Sequence, residues 1–134
     1  MADNNPIRGT RDYVTAFEEF GPEVSDGWTE ISEKVIERIN RYNTDHPDNP
    51  IEITQLKSKF GELRVYLGNL RTGKDINPPE ELKPFIEEME QEALGTCEWC
   101  GSKEKVRTFS YRGWIRTLCE PCEKKLKERN ERKI

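Results

Sequence analysis

The four cysteines of this chain fall into two pairs, and their spacing predicts chemistry more clearly than any other feature. Cys97 and Cys100 form one C-x2-C pair, and Cys119 and Cys122 form a second pair after 18 intervening residues. This spacing is typical of a four-thiolate zinc site, because two intervening residues let both sulfurs of a pair face one ion. Gly101 supplies the tight backbone that a zinc knuckle needs. We predict one structural Zn²⁺ with all four cysteines as ligands.

Other uses of the thiols fit the sequence less well. A redox pair would need a βαβ context, and two disulfides would need an oxidising compartment, for which the sequence carries no signal. A catalytic zinc ion normally keeps one position open for water, whereas four thiolates close the site. An HNH-type nuclease would need a histidine beside the metal, but the single histidine, His46, lies in a distant polar turn. We therefore predict that the protein is not an enzyme.

The residues around the cysteines predict the elements of a treble-clef zinc finger, which are a knuckle, a β-hairpin and a helix. Two strands, Val106–Tyr111 and Trp114–Leu118, are joined at Arg112-Gly113, where glycine suits the turn. Pro121 and the helix formers from Glu123 to about Arg132 predict a helix whose start carries the second pair. The positive end of its dipole favours thiolates. Three aromatic residues are expected to cover the zinc site as its small core: Trp99, Phe109 and Trp114.

Upstream of the cysteines, hydrophobic periodicity predicts two amphipathic helices. The inward positions of the first, which Ser25 or Asp26 would cap, are Trp28, Ile31, Val35, Ile39 and Tyr42. The inward positions of the second, which has Pro84 in its first turn, are Leu82, Phe85, Ile86, Met89 and Ala93. Both helices are expected to bury one face in a single small core.

The segment between these helices changes its period. Ile53, Leu56 and Phe60 have helical spacing and predict a short helix, Gly61 predicts a turn, and residues 62–67 alternate as in a half-buried strand. Residues 68–79 are polar and contain glycine and proline, which predicts a loop.

We interpret the chain as an α+β protein in which a small body of helices and strands precedes a C-terminal treble-clef finger. Residues 1–24 are predicted to be partly mobile, apart from a short helical turn at Tyr13, Val14, Phe17 and Phe20. Residues 25–94 form the predicted body, and residues 95–134 form the zinc-finger module.

Composition restricts the function classes. Only 33% of the residues are hydrophobic and 36% are charged, so the core must be small and a metal would add needed stability. No apolar run is long enough to cross a bilayer, and the N-terminus lacks the apolar stretch of a secretion signal. We therefore expect a soluble cytoplasmic protein.

Charge is divided unevenly along the chain. Residues 1–94 contain 11 Lys/Arg and 20 Asp/Glu, whereas residues 95–134 contain 11 and 6. The acidic body favours a protein-interaction module as the first hypothesis. The alternative is a nucleic-acid-binding protein that uses the basic hairpin and last helix. Its candidate contacts are Arg107, Tyr111, Arg112, Arg116, Lys124 and Lys125.

Three segments together resemble a group of short phage and prophage proteins. These segments are SDGWTEISEKVIERI, ITQLKSKFGELRVYL and the module that contains TCEWCG and WIRTLCEPC. The matching positions outside the cysteines are Gly27, Trp28, Gln55, Lys57, Lys59, Phe60, Gly61, Leu63, Arg64 and Tyr66. Glu62 stands where glycine is common in the group, and Cys122 stands where histidine is frequent. The resemblance implies a phage or prophage source, action in the host cytosol and a four-ligand zinc finger, but no particular activity.

Overall fold

The structure is a computed structural model that describes residues 14–131, with side chains through Arg129. The predicted tail, Tyr13 and the end of the basic tract at Arg132 lie outside these residues. Within them, the elements are α1 (Ala16–Phe20), α2 (Thr29–Asp45), β1 (Ile51–Lys59), β2 (Glu62–Asn69), β3 (Asp75–Ile76), α3 (Lys83–Leu94), β4 (Val106–Tyr111), β5 (Trp114–Cys119) and α4 (Glu120–Glu131). The predicted α+β fold is confirmed.

The first six of these elements share one hydrophobic core. Strands β1, β2 and β3 form an antiparallel sheet in that order, so each strand pairs with its neighbour in the chain. Helix α2 contacts β1, α3 contacts β2, and the two helices contact each other. Both helices therefore cover the same face of the sheet, and their apolar faces meet the inward residues of the strands.

The two predicted amphipathic helices are confirmed. Ile31, Val35, Ile39 and Tyr42 are buried along one face of α2, and Ile86, Met89 and Ala93 are buried along α3. Trp28 and Leu82 are also fully buried, but each lies at the residue just before its helix. The predicted capping by Ser25 or Asp26 is wrong, because a 3₁₀ turn over Asp26–Trp28 makes Trp28 the residue that precedes α2.

The helix predicted from Ile53, Leu56 and Phe60 is wrong, because residues 51–59 form strand β1 and Phe60 lies in the following turn. Ile53 pairs with Leu67 and Gln55 pairs with Tyr66, which leaves Thr54 as an extra residue in a β-bulge. The bulge turns both Ile53 and Leu56 toward the core although they are three residues apart. A bulged strand thereby imitates helical spacing, which is why periodicity gave the wrong element.

Phe60 does not belong to the buried face. It lies with Gly61 in the turn between β1 and β2, where φ is 55° at Phe60 and 76° at Gly61. Two successive positive φ values are the geometry of a tight hairpin turn that matches strand twist. The Phe60 side chain is consequently 61% exposed at the tip of the hairpin.

Smaller elements complete the body. The predicted helical turn near the N-terminus is α1, which Thr15 caps through a capping box with Glu18. Phe17 packs against the core, whereas Phe20 is 67% exposed. The predicted loop 68–79 contains the short strand β3, whose Ile76 pairs with Leu67.

The C-terminal part follows the predicted order of knuckle, hairpin and helix. Strands β4 and β5 pair without interruption, and the turn at Arg112 and Gly113 has φ values of 54° and 85°. Helix α4 begins at Glu120, directly after β5, so the second cysteine pair spans the end of β5 and the first turn of α4. A second core cluster lies here and contains Cys97, Phe109, Leu118, Cys119, Cys122 and Leu126.

One predicted core residue of this module is misplaced. Phe109 is buried and Trp99 packs against the cluster, as expected. Trp114, however, is 62% exposed. It is the first residue of β5 and pairs with Tyr111 at the hairpin tip, away from the strand end at Cys119. The prediction that Trp114 covers the metal site is therefore wrong.

Candidate metal centre and its junction with the body

The four cysteine sulfurs converge on one point. All four Sγ atoms lie within 4.8 Å of one another, and the Cys100 and Cys119 sulfurs are 3.6 Å apart. Tetrahedral coordination with metal–sulfur bonds of about 2.3 Å would place each pair of sulfurs about 3.8 Å apart. Cys97, Cys119 and Cys122 are buried, while Cys100 is exposed. The cluster therefore has the ligand number, donor type and spacing of a metal-binding site.

Each pair is shaped by its own local backbone. After the first pair, the chain turns back so that the Gly101 N–H donates to the Cys97 carbonyl at 3.0 Å. The Cys97 N–H donates to the Ser102 carbonyl at 2.8 Å, and Gly101 has φ 81°, which favours glycine. The second pair spans the junction between β5 and α4, with Pro121 as the second residue of the helix. A knuckle and a helix start thus present the two pairs to each other.

The thiols of the cluster differ in their protonation equilibria. Burial opposes ionisation of Cys97, but hydrogen bonds from the backbone of Cys100, Cys119 and Trp99 outweigh it, and its pKa falls to about 7. Burial raises the pKa of both Cys119 and Cys122. Hydrogen bonds with the other thiols raise the pKa of Cys122 further, whereas for Cys119 those with Cys122 lower it and those with Cys100 and Cys97 raise it. The helix start alone thus does not hold the second pair as thiolates, and a bound cation would supply the free energy that displaces these protons.

Glu123 supports the second pair from the helix. Its nearly buried carboxylate accepts hydrogen bonds from Arg107 Nε at 2.9 Å and from Lys127 Nζ at 2.8 Å. The Arg107 guanidinium, followed by Lys127, lowers the pKa of Glu123 to about 2. The contact fastens β4 to α4 one residue beyond Cys122. Arg107 is therefore engaged inside the module.

Glu98, between the first two cysteines, joins the module to the body. Its side chain is 0% exposed. Its carboxylate accepts hydrogen bonds from the Ser58 hydroxyl at 3.0 Å and from the Thr117 N–H at 2.6 Å, and Arg116 Nη1 lies 3.7 Å away. Ser58 is on β1, whereas Thr117 and Arg116 are on β5. One buried carboxylate thus connects the knuckle, the sheet of the body and the hairpin.

Two hydrogen bonds to backbone carbonyls also stabilise this junction. The Gly27 N–H donates to the Glu98 carbonyl at 2.8 Å, and the indole Nε1 of Trp28 donates to the Thr96 carbonyl at 2.8 Å. A Cβ added to Gly27 would lie 2.1 Å from the Cys97 carbonyl oxygen, so only glycine fits there. These contacts hold the first cysteine pair directly against the start of α2.

The two hairpins also meet. The Thr117 hydroxyl donates to the Gly61 carbonyl at 2.6 Å. A Cβ on Gly61 would lie 2.9 Å from Thr108 Cγ2 and 3.3 Å from Ile115 Cγ2. The tip of the β1–β2 hairpin therefore rests on one face of the β4–β5 hairpin, and Gly61 is required by this approach as well as by its positive φ.

The motif residues lie in three places, which are the junction, the core and the surface of the first hairpin. Trp28 and Gly61 lie in the junction, and Leu63 lies in the core. Most of the others lie toward the surface of the first hairpin and are Gln55, Lys57, Lys59, Phe60, Arg64 and Tyr66. Gln55 donates to Glu23 at 3.1 Å, and Arg64 pairs with Glu62 at 2.8 Å. The residues of the motif therefore help to build the junction and to form the exposed surface of the first hairpin.

The candidate nucleic-acid residues are not equivalent. Arg107 is bound to Glu123, and Arg116 lies beside Glu98. Arg112, at the hairpin turn, has its guanidinium 5.4 Å from the ring centre of Tyr111. Lys124 and Lys125 are exposed on α4. Arg107 and Arg116 thus have carboxylate neighbours within the protein, although the Arg107 side chain is 62% exposed, and Arg112, Lys124 and Lys125 also face solvent.

Sequence reasoning missed the residues that build the junction. Glu98 and Ser58 look like ordinary surface residues in the sequence, and only their three-dimensional meeting shows their role. Gly27 could have been found from the sequence, since it belongs to the motif.

His46, predicted to be a solvated turn residue, directly follows α2. Its ring stacks on that of Tyr42 with ring centres 4.0 Å apart, and its Nε2 lies 3.0 Å from Glu81 Oε1.

Comparison with known proteins identifies no relative: no family model, no curated protein and no solved structure matches the chain. The function of the protein is therefore inferred from the site itself. Among the described residues, no helix has the length and apolar character that crossing a membrane requires.

Proposed function

We propose that the protein is a zinc-stabilised, non-enzymatic interaction protein that binds a protein partner where its two hairpins meet. The metal would be one structural Zn²⁺ held by Cys97, Cys100, Cys119 and Cys122 in a treble-clef finger. Four thiolates leave no coordination position for a substrate, and tetrahedral sulfur ligation is the preference of zinc. The metal would stabilise a shape and would not perform chemistry.

The observation that carries the proposal is an apolar surface at the meeting hairpins. Phe60 is 61% and Ile115 39% exposed. We call these two side chains the hairpin ridge, whereas the exposed Trp114 precedes Ile115 in β5 and therefore points to the opposite face of the second hairpin. Ile115 Cγ2 lies against Gly61, the neighbour of Phe60, so the tips of the two hairpins form one surface. Large exposed apolar side chains that come together mark sites of protein association.

The junction gives this surface a fixed shape. The tip of the first hairpin is held by Thr117, and the strand that carries Trp114 and Ile115 is held by Glu98. A surface that is rigid before binding loses little conformational entropy when a partner docks. This explains why a small protein would link a metal centre so closely to an adjacent hairpin.

The resemblance to phage and prophage proteins supports a proposal about the source, the compartment and the partner. On that basis we propose a phage or prophage source, action in the host cytosol, and a host or phage protein as the partner. The partner would be modulated by binding.

Affinity capture from a host lysate tests the proposal. The full chain is compared with a Phe60→Ala/Ile115→Ala double variant and with Phe20→Ala, which removes an exposed aromatic side chain from α1. We expect one enriched protein with the wild type and with the α1 variant, and its loss with the double variant. Equal recovery with the double variant, or no enriched protein with the wild type, would refute the ridge as the binding surface.

Nucleic-acid binding is the second candidate function. The arrangement that favours it is the Arg112–Tyr111 pair together with the exposed Lys124 and Lys125, which could contact phosphates and stack on a base. Arg112→Glu or Lys125→Glu should then weaken binding to a labelled oligonucleotide, and the affinity should fall steeply with salt. An absence of binding to single- or double-stranded DNA and RNA at low salt would exclude this candidate.

A further inference from the structure

The two faces of the β4–β5 hairpin differ in charge. Alternate residues of a strand share a face, and residues directly opposite each other on paired strands point to the same side. By this register one face carries Val106, Thr108, Ser110, Ile115, Thr117 and Cys119, and the other carries Arg107, Phe109, Tyr111, Trp114, Arg116 and Leu118. The first set contains no charged residue and meets the tip of the other hairpin. The second set, which we call the aromatic face, contains two arginines and no acidic residue.

Short distances join the side chains of the aromatic face. Lys127 reaches it from α4, with Nζ 5.9 Å from the ring centre of Phe109 and 6.0 Å from that of Tyr111. Tyr111 pairs directly with Trp114 across the strands, and Arg116 Cζ lies 5.5 Å from the ring centre of Trp114. The face is therefore one continuous surface from Phe109 to the hairpin tip.

Helix α4 covers the end of the aromatic face nearest the cysteines. Phe109 is buried there and shares a core cluster with Leu126 of α4. At the hairpin tip, in contrast, Trp114 is 62% exposed and Tyr111 is half-buried. The guanidinium of Arg112 lies 5.4 Å from the ring centre of Tyr111. Two aromatic rings, each beside a guanidinium group, are thus accessible from solvent at the tip.

Two carboxylates near the aromatic face are buried. Glu123, which binds Arg107, is 8% exposed, and Glu98, which lies 3.7 Å from Arg116, is fully buried. Arg112, however, is exposed at the turn, and 62% of the Arg107 side chain remains accessible. Positive charge therefore faces solvent at this surface, which favours an anionic partner.

We propose that the aromatic face binds single-stranded nucleic acid, with one base stacked on Trp114, a second on Tyr111, and phosphates at Arg112 and Arg116. Aromatic rings that stack on bases beside cations that contact the backbone are the usual means of binding single strands. A base on either ring brings its phosphate near a guanidinium group. The inference rests on the second candidate function and names its ligand class. It is independent of the hairpin ridge, which lies on the opposite face.

The flat rings favour a single strand over two other anionic partners. In a duplex the bases stack on one another, so their faces are closed to Tyr111 and Trp114. An acidic peptide would pair with the guanidinium groups, but its carboxylates are repelled by the negative faces of aromatic rings. Bases stack on these faces, and arginine binds phosphate through two parallel hydrogen bonds. Only a single strand uses both components of the surface.

Fluorescence anisotropy with the full zinc-loaded chain tests the inference. Three labelled probes are compared at low salt: single-stranded oligo(dT), an oligo(dA)·oligo(dT) duplex of the same length, and a peptide that alternates Glu with Leu. We expect oligo(dT) to bind most tightly, because only its bases are free to stack. Failure of oligo(dT) to bind, equal affinity for the duplex, or binding of the peptide in its place would overturn the inference.

Aromatic variants test the stacking contact. Trp114→Ala should weaken oligo(dT) binding about tenfold or more, which is the loss expected for one stacked base. Trp114→Phe keeps a flat ring and should retain most of the affinity. Phe60→Ala removes an aromatic side chain that is 61% exposed on the other hairpin and should bind as the wild type does. Equal losses in Trp114→Ala and Phe60→Ala would contradict stacking on the aromatic face.

Two charge variants test the phosphate contact. Arg112→Gln and Lys105→Gln each remove one exposed cation at a residue of positive φ, 54° and 52° respectively. Lys105 precedes β4 and therefore lies at the opposite end of the hairpin from the turn. Arg112→Gln should make the log–log salt dependence of the affinity shallower by about 0.7, the value for one phosphate of a single strand. Lys105→Gln should leave it unchanged, and an equal change in both variants would refute the site.

Failure of the inference differs from failure of the proposed functions. If the duplex binds as tightly as oligo(dT) and Trp114→Ala has no effect, the chain binds nucleic acid elsewhere and only the aromatic face is refuted. If neither nucleic acid binds, the second candidate function fails as well. The Phe60→Ala/Ile115→Ala variant should still bind oligo(dT), so its effect on lysate capture reports on the hairpin ridge alone. Circular dichroism and metal content confirm that each variant is folded.

Discussion

The Glu98 carboxylate accepts a hydrogen bond of 3.0 Å from the Ser58 hydroxyl, across 40 residues of sequence. Glu98 lies between two of the clustered cysteines, and Ser58 lies on the hairpin that ends in Phe60. The contact is part-buried, and the same carboxylate accepts a hydrogen bond from the backbone N–H of Thr117 on the second hairpin. The position of the exposed hairpin is therefore coupled directly to the cysteine cluster.

Glu98→Ala should destabilise the protein because it leaves the Thr117 N–H and the Ser58 hydroxyl without their acceptor. An unsatisfied buried polar group costs about 1–3 kcal/mol. Chemical denaturation of the zinc-loaded protein measures this loss. Ser58→Ala removes one donor and should cost about 1 kcal/mol.

A double-mutant cycle separates the contact from a general loss of packing. If Ser58 and Glu98 interact as the structure shows, the combined variant loses less stability than the two single losses together. Full additivity within about 0.5 kcal/mol would contradict a direct contact.

Gly27→Ala should be among the most damaging single-methyl additions in the chain. The new Cβ would lie 2.1 Å from the Cys97 carbonyl oxygen and 2.6 Å from the Glu98 carbonyl carbon, both of them backbone atoms. Relief requires movement of the knuckle itself, so we expect a loss of at least about 2 kcal/mol in unfolding free energy together with weaker metal binding.

Gly95→Ala provides the matched control. The nearest atom to its added Cβ is the Glu92 carbonyl oxygen at 3.7 Å, which is ordinary contact, and Gly95 has a negative φ of −101°. Its denaturation midpoint should stay close to that of the wild type. Equal damage from both substitutions would show that the junction is not packed as described.

Periodic signals made much of the fold predictable. Ile31, Val35 and Ile39 follow the helical repeat because α2 buries only one face, so local sequence and tertiary packing agree. The spacing of the cysteines and the glycine at position 113 likewise encode local geometry that does not depend on distant residues. Elements of this kind can be derived from sequence because their physical cause is local.

Other features depend on contacts that sequence spacing cannot report. One extra residue at Thr54 shifts the alternation of β1, so Ile53 and Leu56 imitate a helix. Glu98 is buried only because Ser58 and the β5 backbone come to it from distant parts of the chain. Trp114 has a side chain typical of a core, but it lies at the hairpin tip, beyond the end of the core cluster. In each case tertiary contacts determine the structure, and they override what the local sequence pattern predicts.

Metal removal should unfold the cysteine module. We expect one zinc per chain by elemental analysis and loss of β4–β5 and α4 structure when a strong chelator is added, because binding free energies of about 10 kcal/mol or more are coupled to folding in such sites. Cys100→Ser should reproduce the effect, whereas Ser110→Ala, on exposed β4, should keep full zinc content. A metal-free protein with an intact module would overturn the metal assignment.

Glu90 gives the pH dependence a definite sign. Burial on α3 raises the pKa of its carboxyl, against the opposing charge of Arg64. Because the folded state holds this proton more tightly than the unfolded state, the group lowers stability as pH rises above its unfolded pKa of about 4.3. Glu90→Gln should therefore stabilise the protein at pH 7, and its advantage should shrink as the pH falls toward that unfolded pKa. Urea denaturation across this range measures the difference, with Glu88→Gln as the exposed control on the same helix. An advantage that is independent of pH would show that the gain comes from packing and not from the buried charge.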